Sequence, residues 1–208
     1  MVRKTTIKAG KEILLLPNEK LIFLLSAKCG SSSIRRMAMY KLDYDKPGDP
    51  NRGLHYLQAH EVKNYPEYFK IMITRNPWAR IVSLYTDKVV RTLYKSFRLF
   101  GIKRKCPFGE FVRIISRVPD HRTDPHFISQ SIFIDQVKPH IVCKLEEVRN
   151  YWHFLQHALK KINDIDLPDL PHFNKKPHGP YREYYDDETR TLIAKRYRRD
   201  VELFNYAF

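Results

Sequence analysis

The chain has 208 residues, 43% of them hydrophobic, and its 38 Lys and Arg outweigh 23 Asp and Glu to leave a net charge of +15. That length suits a single domain over residues 1–208, able to bury about 70% of the surface its unfolded chain exposes. Three cysteines, at 29, 106 and 143, exclude a disulfide framework and point to a reducing compartment, and no apolar run approaches the ~18–20 residues of a membrane span.

The first predicted element is a hairpin over about residues 12–16 and 21–26. Its second strand, the apolar run Leu21 to Leu25, stops at a short loop holding Lys28, Cys29, Gly30, Ser31, Ser32 and Ser33, and a helical pattern follows in Ile34, Met37, Ala38, Tyr40 and Leu42. A buried strand that turns through small residues into a helix outlines a phosphate cradle. The first helical amides have no intrahelical partner and carry the positive end of the dipole, so an anion is favoured there. Lys28 adds a point charge, and the serines add donors and a cap. The same residues also suit an ordinary βα turn with a serine cap. A nucleotide-triphosphate P-loop is disfavoured, because its lysine stands at the end of the loop and here it stands at the start. Cys29 and Arg35 have the spacing of a cysteine-dependent phosphatase, where a low-pKa thiolate attacks phosphorus and the arginine clamps the oxygens. Asp49 and Asp124, each before a proline, offer that alternative a general acid.

A loop rich in Asp, Pro and Gly over about 43–53 precedes a second buried strand at 69–74. Asn76-Pro77 ends the strand and starts a helix, with Ile81, Val82, Leu84, Tyr85 and Val89 apolar, running to about 96. Arg75 is left at the carboxyl end of the strand and Ser83 lies eight residues on. Arginine suits a forked grip on phosphate, while a salt-bridge arginine and a tolerated helix serine read equally well from the pair alone. Further elements follow: a helix near 108–117, an irregular stretch at 118–139, a strand at 140–144 and a helix from about 146 to 162. A loop marked by Pro168, Pro171, Pro177 and Pro180 leads to a last helix over about 186–200. Strands alternating with helices imply an α/β fold whose central sheet is parallel, joined by right-handed crossovers. Ligands then bind at the strand carboxyl ends, where Lys28 and Arg75 fall.

The two loop segments resemble those of sulfotransferases that use 3′-phosphoadenosine 5′-phosphosulfate (PAPS). The first is similar to their 5′-phosphosulfate loop and the second to their 3′-phosphate motif. The resemblance is nearest to the carbohydrate branch, of chondroitin and dermatan type, with its short bacterial relatives. It continues through DPHFISQS (124–131), HIVCKLEEV (140–148) and the closing YREYYDDETRTLIAKRYRRDVELFNYAF (181–208). It implies a three-layer domain with a P-loop-like cradle and sulfuryl transfer from PAPS to an acceptor hydroxyl or amine, with no metal. In that resemblance Lys28 stabilises the leaving phosphate and, with Cys29, Gly30 and Ser31 to Ser33, holds the 5′-phosphosulfate. Arg75 and Ser83 grip the 3′-phosphate, and Lys175 and Lys176 lie near the cofactor. Uronyl sulfotransferases place a histidine base roughly twenty residues before the motif arginine, so His55 fits best, His60 second and His126 third.

Golgi members of the family carry an N-terminal anchor. MVRKTTIKAGKEILLL has too short an apolar stretch for a signal peptide, so a cytoplasmic enzyme is expected if the chain is full length, and a Golgi-lumen one if it is trimmed. The expected acceptor is a glycan or glycolipid, and the charge suits an anionic one. Basic residues over 91–105 interleave Tyr94, Phe97 and Phe100. That mixture reads either as a solvated helix end or as a polyanion-binding surface, and it is compatible with peripheral membrane contact. Nucleic acid is disfavoured as a partner. A basic polyanion-binding module without catalysis is the remaining alternative class.

Overall fold

A computed structural model describes residues 10–41, 53–170 and 179–208. They fall into two compact units, one containing the described residues up to Thr74 and from Phe133 to 170, the other Arg75–Ile132 and the residues from 179 on.

The first unit is built on a five-stranded sheet in the order β3-β1-β2-β4-β5. These strands are β1 (Ile13–Leu16), β2 (Leu21–Leu25), β3 (His55–Tyr56), β4 (Phe69–Thr74) and β5 (Ile141–Lys144). β2, β4 and β5 run parallel, with Leu25 opposite Ile73 and Thr74 opposite Lys144. β1 and β3 are antiparallel additions, so the sheet is mixed rather than parallel throughout. The cause is the connection: four residues join β1 to β2, and a link that short can only make a hairpin, whereas a parallel pair needs a crossover. Every residue of β1 and β2 is buried, as expected for strands covered on both faces. Alternate side chains, Leu14, Leu16, Phe23, Leu25, Ile71 and Ile73, share one cluster with Ile34, Met37 and Ala38 of α1 (Ser31–Lys41) and with Trp152, Leu155 and Leu159 of α5 (Val148–Asn163). α5 ends with Asp164 in the left-handed region, where Ile165 N–H reaches back to the Leu159 carbonyl at 3.1 Å, a hydrogen bond that satisfies one of the end carbonyls. The chain beyond is tied down by Trp152 Nε1, which donates to the Pro168 carbonyl at 2.9 Å. β3 and a 3₁₀ turn at Ala59–Asn64 have no counterpart in the sequence reading.

The second unit is helical. α2 (Pro77–Tyr85) is capped by Asn76, whose Oδ1 accepts from the Trp78 and Ala79 amides and whose Nδ2 donates to the Ala207 carbonyl at 2.7 Å. The predicted run to about 96 stops earlier. Thr86 Oγ1 back-bonds to the Val82 carbonyl at 3.0 Å and opens the ladder into a π turn at Thr86–Arg91. Thr92 is extended and donates both its amide and its hydroxyl to the Asp87 carbonyl. A 3₁₀ turn at Lys95–Phe100 follows, then α3 (Phe108–Ser116). The irregular stretch contains α4 (Ile132–Val137), which carries the chain back to the first unit. The last predicted helix is two, α6 (Asp187–Arg196) and α7 (Arg198–Leu203), separated at Tyr197. Trp78, Ile81, Leu84, Phe97, Phe111, Ile115, Phe127, Ile193 and Tyr197 form this unit's core. No helix among the described residues is long and apolar enough to cross a membrane.

Candidate functional site

The cradle lies in the sheet unit. After Leu25 the chain turns through Ser26 to Gly30, with Cys29 N–H donating to the Ser26 carbonyl at 3.2 Å. Lys28 has φ 68° and Gly30 φ 79°. Glycine takes that region freely, but for lysine it costs on the order of 1–2 kcal/mol. Gly30 is also constrained by space, since a Cβ there would meet Leu145 Cδ1 at 3.1 Å. Gly30's carbonyl accepts the Ser33 and Ile34 amides at 2.9 and 3.2 Å, which starts α1 and leaves the Ser31 and Ser32 amides as helix-terminal donors with no backbone acceptor among the described residues. The first turn of α1 holds no acidic residue to compete for them. Just after β2, Ser26 Oγ is buried without a hydrogen-bond partner among the described residues, so its desolvation is uncompensated by them. These residues fit an anion.

The phosphatase alternative does not find its geometry in this loop. Arg35 sits within α1 and points away from a thiol clamp: Nε donates to Tyr56 Oη at 3.1 Å and Nη2 to the Lys11 carbonyl at 2.7 Å. Cys29 is buried, and its Sγ lies 3.6 Å from the Ala27 carbonyl. Asp49 lies outside the described residues, and Asp124 is committed elsewhere.

Arg75 and Ser83 lie in the helical unit, at the entry to α2 and two turns along it. The backbone of Arg75 is held at its N–H and at its C=O by one buried side chain. Gln130 Oε1 accepts from the Arg75 amide at 2.8 Å, and Gln130 Nε2 donates to the Arg75 carbonyl at 2.8 Å. The buried carboxylate of Asp200 in turn fixes Gln130, accepting the Gln130 and Ser131 amides at 2.8 Å each. Ser83 is half-buried. Gln130 and Asp200 were not singled out by the sequence reading, although Gln130 falls inside the DPHFISQS stretch.

That stretch is irregular yet largely buried, so its carbonyls need partners. Arg80, fully buried, donates through Nη2 to the carbonyls of His126 (3.2 Å) and Ile128 (2.8 Å). Tyr197 Oη donates to the Phe127 carbonyl at 2.8 Å. Arg196 donates to Asp120 Oδ1 at 2.6 Å and to Ser129 Oγ at 3.2 Å. The strapped loop presents a histidine–carboxylate pair. His126 Nδ1 lies 2.6 Å from Asp124 Oδ1, which also accepts the His126 amide at 2.9 Å, and Ser96 Oγ donates to the other oxygen. Burial works to raise the Asp124 pKa, but the bonds from His126 and Ser96 outweigh it and hold the carboxyl below its ordinary range. An ionised carboxylate only accepts, so Nδ1 carries a proton, which fixes the tautomer whose lone pair is on Nε2. Tyr94 and Phe97 pack edge-on against the imidazole, with centroids at 4.7 and 5.8 Å.

The other two candidate histidines, His55 and His60, lie in the sheet unit. His55 is exposed on β3, paired through its backbone with Leu15, and His60 is exposed in the following 3₁₀ turn. Neither imidazole is oriented by a carboxylate among the described residues. Lys175 and Lys176 lie outside the described residues. No group of three or more His, Cys, Asp or Glu among the described residues is placed to hold a metal ion.

A family model described as the sulfotransferase family matches residues 11–207, across both units. Searches of curated proteins and of solved structures returned no match.

Proposed function

The chain belongs to the sulfotransferase family, and from that premise we propose that it transfers a sulfuryl group from PAPS to a hydroxyl of a carbohydrate acceptor, with residues 11–207 acting as one functional domain. The observation that carries the reading is the cradle, where a lysine is held in left-handed backbone between a buried strand and the open amides of α1. The strand that leads into the cradle, β2, pairs in parallel with β4.

PAPS supplies an activated sulfuryl group on a phosphate leaving group. In this reading the Ser31 and Ser32 amides, the serine hydroxyls and Lys28 hold the 5′-phosphosulfate, and Lys28 also neutralises charge that develops on the leaving oxygen. Arg75 and Ser83 bind the 3′-phosphate, with Gln130 and Asp200 setting the backbone from which Arg75 projects. Most of the catalysis is positioning and charge stabilisation, as in phosphoryl transfer.

Proton removal from the acceptor needs a base, and His126 is favoured over His55 by a specific feature, its carboxylate-fixed tautomer with Nε2 available. His126→Ala is expected to cut turnover while leaving nucleotide affinity nearly unchanged. An acceptor with a more acidic hydroxyl should partly rescue that variant but not Lys28→Ala, which should lose on the order of 10²–10³ in rate. Undiminished turnover in His126→Ala, together with a collapse in His55→Ala, would return the role to His55.

The donor is tested by calorimetry. Adenosine 3′,5′-bisphosphate should bind much more tightly than 5′-AMP, and equal affinities would sink the PAPS reading.

A further inference from the structure

The loop over residues 94–105 is ordered by its own hydrogen bonds and yet holds apolar and cationic side chains out into solvent. Phe97 N–H donates to the Tyr94 carbonyl, Gly101 N–H to Arg98, Ile102 N–H to Phe97, and Lys105 N–H to Val89, at 3.0 to 3.2 Å. Gly101, at φ 79°, makes the sharp return after the 3₁₀ turn. Phe97 and Ile102 are fully buried and pin the loop, with Phe97 tilted against Phe127 at 4.6 Å. Between these pins Leu99 is 86% exposed, and Tyr94, at the start of the loop, is 43% exposed. Arg91, Lys95, Arg98, Lys103, Arg104 and Lys105 are all exposed, and no acidic residue occurs between Asp87 and Glu110.

A single exposed leucine is ordinary. A leucine held out on a pinned turn, in a segment that also exposes a tyrosine and six cations, matches two requirements of a membrane interface at once. The cations are drawn to anionic headgroups, and the apolar tip gains by leaving water. Tyrosine, apolar in body and polar at its tip, is suited to the headgroup level. A soluble polyanion would use the charges but would gain nothing from Leu99.

We propose that this loop docks the protein on an anionic lipid surface, with Leu99 inserted and the surrounding cations on the headgroups. Tyr94 connects the loop to the His126 ring, so the docked face adjoins the candidate base. Resting on the sulfotransferase reading, the acceptor hydroxyl is then one presented at that surface, as on a glycolipid.

The test is co-sedimentation with vesicles of phosphatidylcholine alone and of phosphatidylcholine with phosphatidylserine, using exposed-residue variants whose fold is checked by near-UV circular dichroism. Wild type should partition onto the phosphatidylserine vesicles only. Arg98→Gln/Lys103→Gln/Arg104→Gln should weaken partitioning by about 100-fold, each cation near an anionic surface contributing roughly fivefold. Leu99→Ser should weaken it by about tenfold while leaving retention on a heparin column unchanged. Failure to partition, or indifference of partitioning to Leu99→Ser, would overturn the proposal, the second in favour of a soluble glycan or nucleic acid. Adenosine 3′,5′-bisphosphate binding is measured on the same samples. Its absence with vesicle binding intact would sink the donor reading alone, and the converse would sink docking alone.

Discussion

Gln130 contributes both halves of its amide to the backbone of one residue, accepting from the Arg75 N–H and donating to the Arg75 C=O. Replacing it with leucine strands the Arg75 amide and carbonyl and removes a donor from buried Asp200. Each orphaned buried group costs about 1–3 kcal/mol, so Gln130→Leu should lower unfolding free energy by about 3 kcal/mol, read by urea denaturation. It should also weaken adenosine 3′,5′-bisphosphate binding, because the backbone beneath Arg75 is no longer fixed. Undisturbed nucleotide affinity in a destabilised Gln130→Leu would leave the residue a structural role only. None of this was legible beforehand. Gln130 is 55 residues from Arg75 and 70 from Asp200, and nothing local distinguishes a glutamine that clamps a distant peptide from one on a surface. Lys28, Arg75 and Ser83 could be named because their chemistry is written in adjacent residues, a strand end followed by a helix start.

At the scale of elements the same contrast holds. β4 is legible as a six-residue apolar run cut off by Asn-Pro, and its bounds coincide with those expected. β3 is not, since two residues on a sheet edge carry no periodicity. The end of α2 was missed because apolar spacing continues through Val89, while the side-chain bond from Thr86 that widens the helix leaves no mark on hydrophobicity. The start of α2 is the more consequential end, since it fixes how the chain leaves Arg75. Asn76→Ala removes the cap and the bond to the Ala207 carbonyl. Cap loss costs ~1 kcal/mol, up to ~2, so a fall of about 2 kcal/mol is expected in denaturant unfolding. Asn76→Asp keeps the accepting oxygen and should recover part of it.

For the whole molecule, His140 and the most buried of the depressed carboxylates, Asp124, act in the same direction on stability. Local desolvation of its ring, stacked on Phe69, and the Lys70 charge lower the pKa of His140, an otherwise exposed residue whose Nδ1 accepts the Lys70 amide at 2.9 Å. Asp124 is also depressed in the fold. In each case the unfolded chain takes up its proton at the higher pH. The stability each contributes is therefore complete above its unfolded value and is lost as pH falls through the folded one. The urea midpoint should be level above about pH 7, decline as pH drops below the ordinary histidine value of ~6.5, and decline again below the ordinary aspartate value of ~3.9. A net charge of +15 steepens the acid limb, because each protonated carboxylate adds to self-repulsion. Asp124→Asn should make the second decline shallower and leave the first, with the exposed Asp164, Asp186 and Glu188, also held low by their partners, accounting for what remains. A midpoint independent of pH from 7 down to 4 would contradict the His140 assignment.

Lys28 occupies backbone that glycine would enter without strain. Lys28→Gly should consequently be more stable than Lys28→Ala, by on the order of 1 kcal/mol, although both lack the ammonium group and both should be slow. Folding and chemistry therefore ask for different residues at one position. Random drift in a chain released from selection for activity would be free to move toward glycine there with no loss of expression or solubility. Among relatives of this protein, residue 28 then works as a readout of whether the reaction is still being maintained, separable from whether the fold is.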